Sequence, residues 1–220
     1  AMVIDPALMY WLDAGSNVKA APNENLAREL MELFTIGVSR YTEADVKAVA
    51  RALTGFSVTR SSGAFTFDAK KHDSTSFTIF DTTSSWDATS IINLLIARND
   101  NKTFITDRLW FRFMSTTLAK PADIENAFNN REILPAVQKI ASYVSTNDPA
   151  MSQVKSPVDW LVSVCRALKI TPSTVKNPIQ ILNYLDKLGQ VPFNPPNVGG
   201  WPYDEAWLNI ASTQYRIAFL

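Results

Sequence analysis

The side chains best suited to acid–base chemistry are concentrated near the start of the chain, in the segment 23–37 (NENLARELMELFTIG). On a helix its polar face carries Glu24, Asn25, Arg28, Glu29, Glu32 and Thr35. Neighbouring carboxylates such as Glu29 and Glu32 can supply a general acid and a general base when burial separates their pKa values, and they can bind a hard cation. The same pattern is typical of a solvent-exposed face on which Glu24 and Arg28 form an ordinary ion pair and Asn23 caps the helix. The residues leave both interpretations open.

Two arginines one helical turn apart, Arg108 and Arg112, lie in a segment that is otherwise strongly apolar. Between Phe104 and Met114 the apolar side chains occupy nearly the whole circumference of a helix, which predicts burial on most sides. A guanidinium near a core needs a carboxylate to offset its desolvation, so we expect at least one of the two arginines to pair with an acid. The alternative is that both guanidinium groups reach water along their apolar stems.

His72 and Asp73 are adjacent in a polar stretch and form a further candidate for chemistry. A histidine beside a carboxylate can act as a base, a metal ligand or a cap, but catalysis needs partners that adjacency does not supply, so a turn position is the alternative. With one histidine and one cysteine, the chain cannot form an internal disulfide or offer two histidine ligands, and we predict no metal and no cofactor. The candidate catalytic residues are Glu24, Glu29, Glu32, His72 and Asp73.

A loop rich in proline, glycine and aromatic residues spans 191–203 (VPFNPPNVGGWPY). Proline restricts the unfolded chain and glycine permits close backbone approach, so we expect a rigid loop whose aromatic rings can form a stacking platform. The alternative is a structural loop that fixes the final helix, with its aromatic rings packed inward. The candidate ligand-binding residues are Asn23, Asn25, Arg28, Arg108, Arg112, Asn197 and Trp201.

The elements that must position these residues are mostly helices. Asp5-Pro6 predicts a short helix that ends before Gly15, and Thr42 with Asp45 predicts a helix start after the segment 23–37. Further helices are predicted at about 87–97, 102–115, 122–130, 132–145, 157–168, 176–188 and 204–219. Between 56 and 80 the apolar period changes to two, which predicts a small antiparallel sheet with a turn at 61–63. We therefore predict a mostly α fold, a multi-helix orthogonal bundle with a small antiparallel β insertion, in a single domain over 1–220.

Charge and hydropathy exclude several classes of protein. The 21 Lys and Arg residues balance 21 Asp and Glu residues, so the overall positive field that non-specific nucleic-acid binding requires is absent. No apolar run approaches the roughly 18 residues of a spanning helix. The sequence contains no G-x-S-x-G, P-loop or metalloprotease motif, which disfavours the common nucleophile and phosphate chemistries.

Several motifs in order along nearly the whole chain resemble a large bacterial family of uncharacterised proteins, the domain-of-unknown-function family eighteen hundred. They are DPALMYWLD, the block from NEN to ALTG, the HD pair at 72–73, DRLWFRFM, VKSPVDWLVSVCRAL and LGQVPFNPPNVGGWP. The resemblance implies that this chain is the C-terminal part of a longer protein with a helical region before it. It also implies an exported or cell-envelope setting and a protein partner that resembles the sulfatases.

Two functions from different classes are compatible with these residues. The first is a helical binding or scaffold module that contacts a partner protein or a cell-surface polymer through the 23–32 face and the 195–201 loop. The second is half of a carboxylate-dependent hydrolase or lyase site, completed by the preceding region. We also expect an exposed apolar patch near the first helix, through which the chain can form a homodimer.

Overall fold

The structure is a computed structural model that describes residues 2–129, 131–144, 153–197 and 199–219, and it confirms a mostly α fold with a small β insertion. In these ranges the α-helices are α1 Pro6–Trp11, α2 Asn25–Glu29, α3 Glu43–Ala52, α4 Ala88–Ala97, α5 Asn99–Phe113, α6 Ala122–Ala127, α7 Ile133–Ala141, α8 Pro157–Ala167, α9 Pro178–Lys187 and α10 Ile210–Phe219. The strands are β1 Phe56–Thr59, β2 Ala64–Phe67, β3 Ser76–Ile79 and β4 Thr82–Ser85.

Capping residues fix the helix starts that the sequence predicts. Asp5 accepts two backbone hydrogen bonds at 3.0 Å at the start of α1. Thr42 and Asp45 form a capping box at the start of α3, and Ser156 caps α8 ahead of Pro157. Each cap satisfies N–H groups that have no partner inside the helix, and a cap of this kind is worth about 1 kcal/mol.

The segment 23–37 is helical as predicted, but it is not one α-helix that begins at Asn23. Glu24 precedes the first helical residue, and α2 continues as a π-helical segment, Leu30–Thr35. The N–H of Ile36 donates to the carbonyl oxygen of Met31, five residues back, at 2.9 Å. A π-helix takes more residues per turn than an α-helix and is often found at functional positions.

The wider turn changes which side chains reach the core. The α-helical period places Leu33 and Phe34 on the buried face, but both are half-buried, whereas Thr35 and Ile36 are buried. The carbonyl oxygen of Thr35 accepts a hydrogen bond of 2.7 Å from the buried side-chain amide of Asn101 in α5. Asn101 therefore satisfies a backbone group at the end of the π-helical segment.

The β insertion consists of two separate two-stranded antiparallel sheets, where the sequence predicts one sheet. β1 pairs with β2 through Phe56 opposite Phe67, and β3 pairs with β4 through Ile79 opposite Thr82. The turn between β1 and β2 lies where it is predicted. β4 was missed because its sequence TTSS has no apolar residue and so no period of two.

Contacts divide the chain into two compact units. The first comprises residues 1–109 and 121–139, and the second comprises residues 110–120 and 140–220. The first unit contains an apolar core from α1, α2, the π-helical segment, α3, β3 and α4. Its fully buried side chains include Met9, Leu26, Leu30, Met31, Ile36, Val46, Val49, Leu53, Ile79, Ile91 and Leu95.

The second unit is held together by aromatic contacts between its helices. The ring of Phe219 in α10 lies 5.7 Å from Trp160 in α8 and 5.2 Å from Tyr184 in α9, both edge-on. Leu185 and Trp207 of the same unit are also buried. Edge-on aromatic pairs contribute about 0.5 to 1.5 kcal/mol beyond the area they bury, so these rings fix the packing of the three helices.

Candidate functional site

Arg28 is the centre of an ion cluster that joins α2 to α3. Its Nη1 and Nη2 atoms donate to the two carboxylate oxygens of Glu43 at 2.8 and 2.7 Å, and Nη2 lies 3.2 Å from a Glu24 oxygen. The hydrogen bonds to Glu43 raise the pKa of Arg28, and the guanidinium lowers the pKa of Glu43. The Glu24 to Arg28 ion pair expected of an exposed face is present. Glu43 binds the same guanidinium, although nothing in the sequence pattern marked it as a candidate.

Glu32 lies in the π-helical segment and accepts a hydrogen bond from the Tyr41 hydroxyl at 2.7 Å. Burial and the bond to Glu32 raise the pKa of Tyr41 to about 12. Tyr41 therefore stays protonated at neutral pH and occupies one of the two carboxylate oxygens of Glu32. The other oxygen makes no hydrogen bond to the described residues.

Glu29 differs from the other carboxylates of this face. Its half-buried side chain makes no hydrogen bond or ion pair with any residue that the structure describes. Burial, followed by repulsion from Glu32, raises its pKa, while Arg28 opposes the rise. A carboxyl group of this kind takes up a proton more readily than a solvated one, which is the property of a general acid.

Asn23 lies one residue before the N-cap position, Glu24, but its side chain still satisfies the first N–H of α2. Its side-chain oxygen accepts from the N–H of Asn25 at 2.9 Å, and its amide nitrogen donates to Ser16 at 2.7 Å. Its own N–H donates to the side chain of Asn17, which in turn donates to the carbonyl oxygen of Ala50 in α3. Asn17 is buried and was missed, because a lone asparagine in a loop gives no periodic signal.

A cavity of about 230 Å³ lies beside this face within the first unit. Its lining combines apolar, cationic and anionic side chains: Glu32, Leu33, Ile36, Gly37, Val38, Arg40, Phe104, Asp107 and Arg108. Gly37 is required at this wall, since a Cβ atom there would lie 2.9 Å from the ring of Phe104. The cavity thus brings together Glu32 and Arg108, which the sequence singled out separately.

The expected pairing of Arg108 or Arg112 with an acid is wrong for the described part of the chain. Arg108 is exposed and lies 5.9 Å from the ring centroid of Phe104, and Arg112 lies 4.4 Å from that of Tyr203. The side chain of Arg112 also donates to the hydroxyl of Tyr203 at 3.1 Å. The reason is that α5 is less buried than predicted: Phe113 is 58% exposed. Both guanidinium groups therefore reach solvent, which was the alternative reading.

His72 packs against the end of β1 and β2. Its Nδ1 atom lies 3.0 Å from the carbonyl oxygen of Thr54, and its ring lies edge-on to Phe67 at 5.4 Å. The backbone of Gly55 passes so close that a Cβ atom there would lie 3.1 Å from His72. These contacts position His72 as a turn residue.

Asp73 is held by several donors. Its carboxylate accepts from Nε of Arg51 at 2.8 Å, and from the hydroxyl and N–H of Thr75 at 2.6 and 3.1 Å. Burial raises the pKa of Asp73, but the bonds from Thr75 and Arg51 outweigh it and hold the pKa below its ordinary value. Asp73 therefore joins α3 to the loop before β3 as a fixed anion.

The loop 191–203 is anchored in the second unit by its C-terminal end. Tyr203 packs edge-on against Phe111 at 5.1 Å, and Trp201 is half-buried. The side-chain oxygen of Asn197 accepts from the N–H of Gly199 at 2.8 Å, so it serves the local turn. Val198 lies outside the described residues. Phe193, in contrast, is completely exposed.

A second and larger depression of the first unit, about 490 Å³, was not predicted. It is lined by Thr42, Ala44, Asp45, Thr78, Phe80, Asp81 and Arg98. The guanidinium of Arg98 lies 4.0 Å from the ring centroid of Phe80, whose φ of +51° is unfavourable for a bulky residue. Asp45 accepts from the N–H of Phe80 at 3.0 Å and so holds this turn. The bonds that Asp45 receives outweigh its burial and lower its pKa.

Two kinds of feature are absent from the described ranges. No group of three or more His, Cys, Asp or Glu side chains there is arranged to hold a metal ion. Nor does the described part of the chain contain a helix long and apolar enough to cross a membrane.

Comparison with known proteins places the chain in a family without giving it an activity. No curated protein and no solved structure matches it. The model of one family, described as protein of unknown function (DUF1800), matches residues 1–220. The chain belongs to that family.

Proposed function

We propose that this chain is a helical binding module whose partner is another protein, and that the contact is centred on the exposed aromatic side chains of α1. The observation that carries the proposal is the exposure of Trp11, 74%, and of Tyr10, 54%, on a helix whose other side is in the core. Met9 and Leu12 are buried, so the two rings are held on a rigid support.

The composition of this surface supports a protein partner. The guanidinium of Arg60 lies 4.9 Å from the ring centroid of Tyr10, so Trp, Tyr and Arg side chains occur together in one unit. These three residue types dominate the energetic centres of protein interfaces. Large aromatic surface left in water is costly, and covering it with a partner recovers that free energy.

The test is a calorimetric titration of the purified chain with the sulfatase-like protein that the family resemblance offers as first partner. We expect Trp11→Ala to weaken binding about 30-fold, the loss typical of an interface centre, with unchanged circular dichroism. Ile210→Ala is the matched control, because Ile210 is 80% exposed in the other unit. Sedimentation of the chain alone reports a homodimer through the same surface, and sedimentation with polysaccharide reports a polymer ligand. Equal affinity of the two variants would contradict the proposal.

A second function, half of a carboxylate-dependent hydrolase or lyase site, is favoured by Glu29 alone. Its pKa is raised by burial and by Glu32, and no described residue neutralises it. In this proposal Glu29 is the general acid, and residues outside this chain complete the site. A substrate screen on the longer protein that compares Glu29→Gln with Glu43→Gln tests it. Activity lost only in the first variant supports the role, and equal activity in both contradicts it.

A further inference from the structure

We propose that the 230 Å³ cavity beside the π-helical segment binds a small zwitterion of the amino-acid type, with its carboxylate toward Arg108 and Arg40 and its ammonium toward Glu32. This site is separate from the α1 surface of the proposed function and does not depend on it. It rests on the charges, the apolar wall and the size of one cavity within the first unit.

The lining of the cavity includes two arginines, Arg40 and Arg108. Arg108 is exposed, and no carboxylate lies within 4 Å of it among the residues described. Arg40 lies 3.7 Å from a carboxylate oxygen of Asp100, but that carboxylate already receives two bonds from Arg98, at 3.1 and 2.5 Å. Arg40 and Arg98 therefore share one acid, Asp100. A planar guanidinium binds a carboxylate with two parallel hydrogen bonds, so the two arginines of the lining, Arg40 and Arg108, suit a ligand carboxylate.

The carboxylates of the lining disfavour a ligand that carries only negative charge. Glu32 lines the same cavity with one oxygen engaged by Tyr41, and Asp107 adds a second carboxylate to the lining. A simple anion would be repelled by these groups, and a simple cation would be repelled by the arginines. A ligand with both a carboxylate and an ammonium can pair with the arginines and with the carboxylates of the lining.

The apolar wall and the volume limit the rest of the ligand. Leu33 and Phe104 add carbon surface to the lining, and the ring of Phe104 lies close to the backbone of Gly37. Cavities for drug-sized ligands are about 300 to 1,000 Å³, so a cavity of about 230 Å³ favours a smaller molecule. A single amino acid with a short aliphatic side chain fits these limits.

The test is a nuclear magnetic resonance titration of the full 220-residue chain with L-alanine and L-valine, read at the assigned amides of Gly37 and Val38. We expect saturable shifts at these amides. N-acetylalanine lacks the ammonium and alaninamide lacks the carboxylate, so each should bind about tenfold more weakly or worse. Equal binding of all four compounds, or no shift with either amino acid at high millimolar concentration, would overturn the proposal.

Two variants test which lining residue binds the carboxylate of the ligand and which binds its ammonium. Arg108→Gln should weaken L-alanine about tenfold without weakening alaninamide, and Glu32→Gln should weaken L-alanine without weakening N-acetylalanine, because each substitution removes an attraction that only L-alanine uses. The matched control is Arg131→Gln, because Arg131 is exposed in the same unit and does not line the cavity. The proposal fails if Arg108→Gln binds L-alanine as tightly as Arg131→Gln does.

Discussion

The number of hydrogen-bond donors around each carboxylate decides its proton affinity in the first unit. Burial raises the pKa of both Glu29 and Asp73, because each loses solvation of its charged form. Asp73 receives bonds from Arg51 and Thr75, and its pKa ends below the ordinary value. Glu29 receives none from the described residues, and its pKa ends above it. The two acids should therefore respond to pH in opposite directions.

Asp73→Asn should destabilise the protein at neutral pH and much less in acid. A carboxyl group whose pKa is lowered by folding stabilises the fold above its unfolded pKa, near 3.9, and that stabilisation is lost as the pH falls through the folded pKa. We expect a loss of about 1 to 2 kcal/mol at pH 7, since charged hydrogen bonds are removed. Urea unfolding at about pH 7 and about pH 3 measures it. The control is Asp81→Asn, an exposed acid in the β3–β4 turn, and a loss that does not depend on pH would contradict the argument.

Glu29→Gln should have the opposite effect, a gain in stability at neutral pH of up to about 1 kcal/mol. A carboxyl group whose pKa is raised by folding destabilises the fold once the pH exceeds its folded pKa, and this cost disappears below its unfolded pKa, near 4.3. The gain should therefore vanish in urea unfolding at about pH 3. Glu43→Gln serves as the comparison, because it removes the partner of Arg28 and should not stabilise.

Local side-chain signals predicted the elements well, whereas signals that depend on tertiary contacts were missed. Asp5, Thr42 and Ser156 mark helix starts because their caps act within three residues. The end of the π-helical segment accepts a bond from Asn101, which is 66 residues away from Thr35, and no period in the sequence encodes such a contact. For the same reason the α-helical period placed Thr35 on the polar face, whereas its side chain is buried.

The candidate site was predicted in parts. Glu32 and Arg108 were both singled out, but their common cavity depends on how α5 packs beside the π-helical segment. Glu43, which bonds to Arg28, lies at the start of α3, and Tyr41, which bonds to Glu32, lies in the connection before α3. Neither residue belongs to the polar face of the segment 23–37, so that face alone does not predict them. Charged residues were therefore easier to find than their partners.

Gly55→Ala should be one of the most damaging small substitutions in the β insertion. A Cβ atom at Gly55 would lie 2.7 Å from the carbonyl oxygen of Asp68, whose N–H is bonded to Gly55 and so cannot move away freely. A φ of +88° adds backbone strain of about 1 to 2 kcal/mol. We expect a total loss of about 3 kcal/mol or more in urea unfolding, together with a shifted resonance of the His72 ring.

The control for this substitution is Gly63→Ala in the turn between β1 and β2. Gly63 also has a positive φ, +65°, but no atom lies within 4 Å of its added Cβ. It should therefore lose only the backbone strain, about 1 to 2 kcal/mol. Equal losses in the two variants would show that the contact with Asp68 is unimportant.

The two units interleave along the sequence. The chain passes from one unit to the other after residues 109, 120 and 139. Residues 121–139 belong to the first unit, and the Thr103 hydroxyl of α5 donates to Glu125 of α6 at 3.0 Å. Ile124 is fully buried and Phe128 nearly so. The first unit is therefore incomplete in a fragment that ends at α5.

A fragment of residues 1–139 should be more stable than a fragment of residues 1–109 by about 3 to 6 kcal/mol. Residues 121–139 contribute the buried side chains of Ile124 and Phe128, and each large apolar side chain whose burial the longer fragment keeps contributes about 1.5 to 3 kcal/mol. A fragment of residues 1–120 is the control, because residues 110–120 belong to the second unit and should restore little beyond the last turn of α5. Urea unfolding followed by circular dichroism measures all three. If 1–120 matches 1–139, the stabilisation comes from chain length after α5 and the assignment of α6 to the first unit is wrong.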